Sequence, residues 1–169
     1  MPPEDPPGAE AITAGARGGL LAAALLEDGH RVRLTVTGDS MGPLLASGDQ
    51  VELAPLGGRP RRGQVVLARR ADGSVLLHRL LRIHADGRVQ TRGDAHWRLD
   101  DPLEAGEVLG RVVRFRKGRG NWQRAPLGAG AAARSLLALA RSWLAYRLCA
   151  SPGATPRARS ILRARRHPG

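Results

Sequence analysis

The chain of 169 residues contains one cysteine, Cys149, and one lysine, Lys117. A lone cysteine excludes an intrachain disulfide and a cysteine-built metal cluster, so the redox compartment is not revealed. Aromatic residues make up only 3 %. Leucine, valine and alanine must therefore fill the core, and few rings are present on which nucleic-acid bases could stack. Long apolar runs are also missing. The longest near the N-terminus, "GGLLAAALL", falls well short of the ~20 residues of a spanning helix. The opening "MPPEDPPGAE" is acidic and proline-rich and lacks the basic n-region of a secretory signal. These absences lead us to expect a cytoplasmic protein or one held peripherally at a membrane.

Arginine is abundant. The formal net charge is +12, and arginine carries nearly all the positive charge. Such a balance fits an anionic partner: nucleic acid, an acidic lipid surface or an acidic substrate. No helix clusters base-reading side chains, so specific nucleic-acid recognition is not expected. Apolar residues form 42 % of the chain, ordinary for one globular domain, and the 22 glycines and 12 prolines suit many turns between short strands.

Three parts are expected along the chain. Residues 1–30 form a tail followed by a helix over 9–27, "AEAITAGARGGLLAAALLE", stopped by "DGH" with Gly29 as its C-cap. Residues 31–117 read as a compact β core. "RVRLTVT" alternates polar and apolar residues, and "QVELA", "GQVVLARR", "SVLLHRLLRI", "RVQTRG" and "EVLGRVVRFR" follow as further strands. Asp72-Gly73 and Asp86-Gly87 are hairpin signals between them. Residues 118–169 comprise a Gly/Arg/Pro linker, an amphipathic helix over 129–150 and a basic tail. The fold class expected is mainly β, with a helix at each end.

The candidate nucleophile is Ser40 in "TGDSMGP", directly after the first alternating run. Serine is a weak nucleophile until a neighbouring base takes its proton. The sole lysine lies beyond the last clear strand, which disfavours a Ser-Lys dyad. Of the five histidines, His78 stands in mid-strand within "VLLHRLL", where a general base is held more firmly than in a loop. The acid that orients it is sought in "RGDAHWRLDDP", which offers Asp94, Asp100 and Asp101. His84, His96 and Asp94 match no standard metal spacing, so neither metal nor cofactor is expected.

These segments together resemble a known superfamily. "VTGDSMGPLLASGDQVEL" is similar to the nucleophile box of the signal peptidases and LexA-type repressors. "RRGQVVLAR" resembles the next element, with Gln64 where aspartate is usual. "LLHRLLRI" looks like the histidine box of the eukaryotic, archaeal and sporulation-type signal peptidases, which use histidine where ordinary bacterial enzymes use lysine. "TRGDAHWRLDDP" and "VLGRVV" resemble the remaining boxes, in the family's order, so that the match covers about residues 31–115.

The resemblance implies a signal-peptidase-like β core and a serine endopeptidase that cleaves a leader or signal segment of a peptide or preprotein. It implies Ser40 as acyl-forming nucleophile, His78 as general base, and Asp94 with Asp100 or Asp101 as acidic partners. Spacing from Gly93-Asp94 favours Asp100, and the proline that follows favours Asp101. The Ser40 N–H would serve an oxyanion hole, with Thr37 or Gly38 where the family often has a second donor. Asp39 stands where signal peptidases commonly have glycine. No segment reads as the family's membrane anchor, and nothing before the core resembles a helix-turn-helix.

The alternative is a catalytically inactive relative that binds an extended peptide, or a basic membrane-surface adaptor. In residues 129–169, Arg134, Arg141 and Arg147 accompany leucines, Trp143 and Tyr146. That stretch either packs on the core or lies on an anionic membrane.

Overall fold

A computed structural model describes residues 10–12, 16–125, 130 and 137. The architecture is mainly β. Strands β1 (Glu10–Ile12), β2 (Val32–Thr35), β3 (Gln50–Pro55), β4 (Val65–Arg69), β5 (Val75–Ile83), β6 (Val89–Arg92), β7 (Val108–Arg116) and β8 (Gln123–Arg124) accompany one α-helix, α1 (Ala16–Glu27). They form one eight-stranded sheet in the order β1-β2-β3-β7-β4-β5-β6, with β8 paired to β7. Every pairing is antiparallel except that of β1 with β2.

Each segment expected as a strand between residues 31 and 116 contains one. The two Asp-Gly pairs turn the β4–β5 and β5–β6 hairpins. Gly73 and Gly87 there have φ of 80° and 87°, a region in which a Cβ is strained. Asp72 and Asp86 accept the N–H two residues on, from Ser74 and Arg88.

Two expectations need correcting. The helix begins at Ala16, and residues 10–12, assigned above to it, are a strand. Pairing of Glu10–Ile12 with Val32–Leu34 overrides alanine-rich helix propensity. The linker expected over 118–128 contains β8, which continues the sheet because Arg124 and Gln123 pair with Arg114 and Phe115. The tail over 1–8 lies outside the described residues. So does the expected C-terminal helix, apart from Gly130 and Leu137, both helical.

Both faces of the sheet bury apolar side chains. On one, Ala22, Ala23 and Leu26 of α1 meet Val32, Leu34, Val51, Leu53, Val65 and Leu67. On the other, Val66, Ala68, Leu76, Leu80, Val89 and Val108 form a second cluster. Val65, Val66, Leu67 and Ala68 thus alternate between the two cores, as the pleat requires. Each fully buried valine or leucine contributes roughly 1.5–3 kcal/mol. Glycine allows the helix to approach. A Cβ on Gly19 would lie 2.5 Å from Val75, and one on Gly110 would meet Leu26 at 2.9 Å.

Candidate active site

The loop after β2 carries Ser40. Its base is closed by Val36 N–H to the Asp49 carbonyl (2.7 Å) and Gly48 N–H to the Val36 carbonyl (2.9 Å). Gly38, at φ 81°, turns the chain, and the Gly42 N–H donates to the Asp39 carbonyl at 3.0 Å. Met41 and Leu45 then plunge into the core at 1 % exposure each, joined by Leu45 N–H to the Met41 carbonyl. The serine therefore sits one residue from a buried anchor, which limits its freedom. The Gly42–Pro43 peptide is cis. Lys117 lies nearby, but its Nζ donates to the Pro43 carbonyl at 3.0 Å.

His78 is in mid-β5, opposite Val66 of β4, and is 4 % exposed. Its Nε2 is 3.1 Å from Ser40 Oγ, and its Nδ1 is 2.7 Å from Asp100 Oδ2. The tautomer that satisfies both contacts donates Nδ1–H to the carboxylate and accepts the serine O–H at Nε2. Asp100 is itself fixed by β6. Its N–H donates to the Thr91 carbonyl at 2.9 Å, and Thr91 Oγ1 donates to Asp100 Oδ2 at 2.6 Å. Gln90 Nε2 donates to the Asp100 carbonyl at 3.2 Å. Burial pushes the Asp100 carboxyl up, but the hydrogen bonds from His78 and Thr91 outweigh it and hold the group below the usual value of 3.8.

Asp94 occupies a different place. Arg79 Nε and Nη2 donate to its two carboxylate oxygens at 2.8 and 2.6 Å, and Arg79 Nη1 donates to the Gly63 carbonyl at 2.8 Å. The pair is nearly dry, with side-chain exposures of 3 % and 5 %. The fork-to-fork geometry satisfies both ions. Gln64, at the position where aspartate was expected, tightens the same corner by accepting the Arg61 N–H at 2.8 Å. The carboxylate that meets His78 is thus that of Asp100; Asp101 and Asp39 are exposed.

Three contributors were not assigned to this cluster from sequence. Thr91 is one; its position within "TRGD" was the available signal. His96 packs its ring edge-on to His78, with centroids 5.4 Å apart and planes at 89°. Burial lowers its pKa from 6.5, and the neighbouring His78 lowers it further. Gly93 is the third. A Cβ there would stand 2.5 Å from the Ser40 carbonyl oxygen and 3.1 Å from His78 Nε2. Only glycine lets the strand end pass beneath the serine. The Ala95 N–H then donates to the Ser40 carbonyl at 2.8 Å, tying the two loops together.

A groove of about 620 Å³ opens beside Ser40 and His78, bordered by Thr35, Val36, Met41 and His96. A hydroxyl bonded to an imidazole, which is bonded in turn to a carboxylate, is the chemistry that transfers a serine proton as the oxygen attacks a carbonyl. Among the described residues no group of three His, Cys, Asp or Glu side chains is placed to hold a metal ion. Nor is any described helix long and apolar enough to cross a membrane. No protein-family model matches the sequence, and no curated protein matches it significantly.

Proposed function

We propose that the protein is a serine endopeptidase of signal-peptidase type that cleaves a leader or signal segment through Ser40, His78 and Asp100. The observation that carries this reading is the continuous chain from Ser40 Oγ through His78 to Asp100, at 3.1 and 2.7 Å. Ser40 attacks the scissile carbonyl as His78 Nε2 takes its proton, and Asp100 stabilises the imidazolium that forms. The proton then passes to the leaving amine, and water releases the acyl group by the reverse path. Among the described residues no acceptor takes the Ser40 backbone N–H, which leaves it to stabilise the oxyanion. The groove of about 620 Å³ supports an extended peptide as substrate.

A serine-reactive phosphonate probe tests the proposal. It should label the wild type and leave Ser40→Ala and His78→Ala unlabelled. Equal labelling of wild type and Ser40→Ala, or no labelling of either, would overturn it and favour an inactive peptide-binding relative.

A further inference from the structure

Across β2, β3, β7 and β8 the face turned away from α1 is dominated by arginine. Register sets Arg33, Glu52, Arg114 and Arg124 in one cross-strand row. Trp122 lies under three guanidinium groups, those of Arg33, Arg114 and Arg116, at 5.5, 5.6 and 5.1 Å from its ring centroid. Glu52, fully buried, accepts Arg31 Nη1 at 3.1 Å and Arg114 Nη2 at 2.6 Å.

Among the described residues Glu52 is the carboxylate that pairs with arginines on this face, and it takes two of them. Arg31, Arg111, Arg114 and Arg124 together border a depression of about 320 Å³, alongside Val112 and Ala125. Arg111 and Arg124 form no ion pair among the described residues. The Arg111 Nε is buried there without a hydrogen-bond partner. Like charges directly opposed on neighbouring strands, such as Arg114 and Arg124, destabilise a sheet, and a bound anion offsets that cost.

We propose that this depression receives the phosphate of an anionic phospholipid headgroup and seats the sheet face on an acidic membrane surface. Guanidinium groups match phosphate oxygens in pairs, and four converge here. A sheet presents them side by side, as a bilayer presents its headgroups. Nucleic acid fits less well, since among the described residues Trp122 is the ring on this face and three guanidinium groups already lie over it. The proposal stands whether or not Ser40 is a nucleophile.

Co-sedimentation of the full-length protein with vesicles is the test. Vesicles containing phosphatidylglycerol should pull the protein down, whereas pure phosphatidylcholine should not. Each arginine at an acidic surface contributes roughly fivefold, so Arg111→Gln/Arg124→Gln should weaken binding roughly 25-fold. Arg157→Gln/Arg159→Gln removes the same charge from the C-terminal segment and should weaken it less than about threefold. The single variants Arg111→Gln and Arg124→Gln, at roughly fivefold each, keep the test intact if the double variant misfolds. Wild type that ignores acidic vesicles, equal losses in the two double variants, or unchanged binding by Arg111→Gln/Arg124→Gln would each overturn the proposal. So would duplex DNA binding tighter than vesicle binding and lost in the same variant.

Discussion

Two regions of this molecule handle charge in opposite ways. Around β5 and β6, His78 is matched to Asp100 and Arg79 to Asp94. Across β2, β3, β7 and β8, Arg31 and Arg114 share the buried carboxylate of Glu52, while Arg111 and Arg124 form no ion pair among the described residues. The same residue type has two fates. Arg79 is enclosed and both branches of its guanidinium are used, whereas Arg124 is exposed. A charge taken out of water needs a partner of opposite sign, whereas an exposed one does not. Matched burial therefore holds atoms in place, and unmatched exposure leaves attraction for something outside the chain.

The sharpest way to break this contrast is at Asp100. Asp100→Asn keeps the shape but presents the wrong partner to Nδ1, and probe labelling of Ser40 should fall about 10⁴-fold. Asp101→Asn, on the neighbouring exposed carboxylate, should leave the labelling rate within about twofold, since substitutions away from buried contacts change little. Equal losses would mean that pairing geometry does not decide which aspartate serves. Next in size is the buried ion pair. Asp94→Asn strands the Arg79 charge and should cost about 3–5 kcal/mol in urea unfolding. Arg124→Gln on the sheet face relieves one like-charge pair and should raise stability slightly, by less than about 1 kcal/mol. A similar shift in both would erase the distinction between the two regions.

The smallest expected effect is a pH slope. His96 has its pKa lowered from 6.5, mainly by burial and then by His78, with Arg70 and Arg92 acting in the same sense and Asp100 opposing. The unfolded chain thus takes up a proton below 6.5 that the folded chain accepts only at lower pH. Stability therefore falls as pH drops below 6.5, and His96→Asn should flatten that fall, by less than one proton. Urea midpoints at about pH 7 and pH 5 read this directly, and identical slopes would remove His96 from the account.

Much of the fold was legible because period and turn chemistry are local. One alternating run, then short apolar runs bounded by turn signals, located the strands between residues 31 and 116, and the Asp-Gly pairs located two hairpins. Strands β1 and β8 were not legible, since three and two residues carry no period and exist only through their partners. In the site, Ser40 and His78 stood out by type and position. The choice between Asp100 and Asp101 stayed open, with spacing favouring the first and the following proline the second, because it depends on the Asp100 N–H meeting the Thr91 carbonyl across the fold. Asp94 was grouped with the acids of His78, yet neighbouring residues on a strand face opposite ways. His78 and Arg79 therefore reach different carboxylates, Asp100 and Asp94 respectively.

The bond from Ala95 N–H to the Ser40 carbonyl, made above the bare backbone of Gly93, has a consequence for the chain as it is synthesised. Ser40 emerges long before Gly93, Ala95 and Asp100, and until those residues arrive its loop has neither its clamp nor its imidazole relay. A nascent chain that ends before residue 100 lacks the carboxylate that meets His78. On the proposed mechanism the Ser40 hydroxyl meets a complete relay only once Asp100 has docked on Thr91, so completion of the fold would precede any attack on a polypeptide.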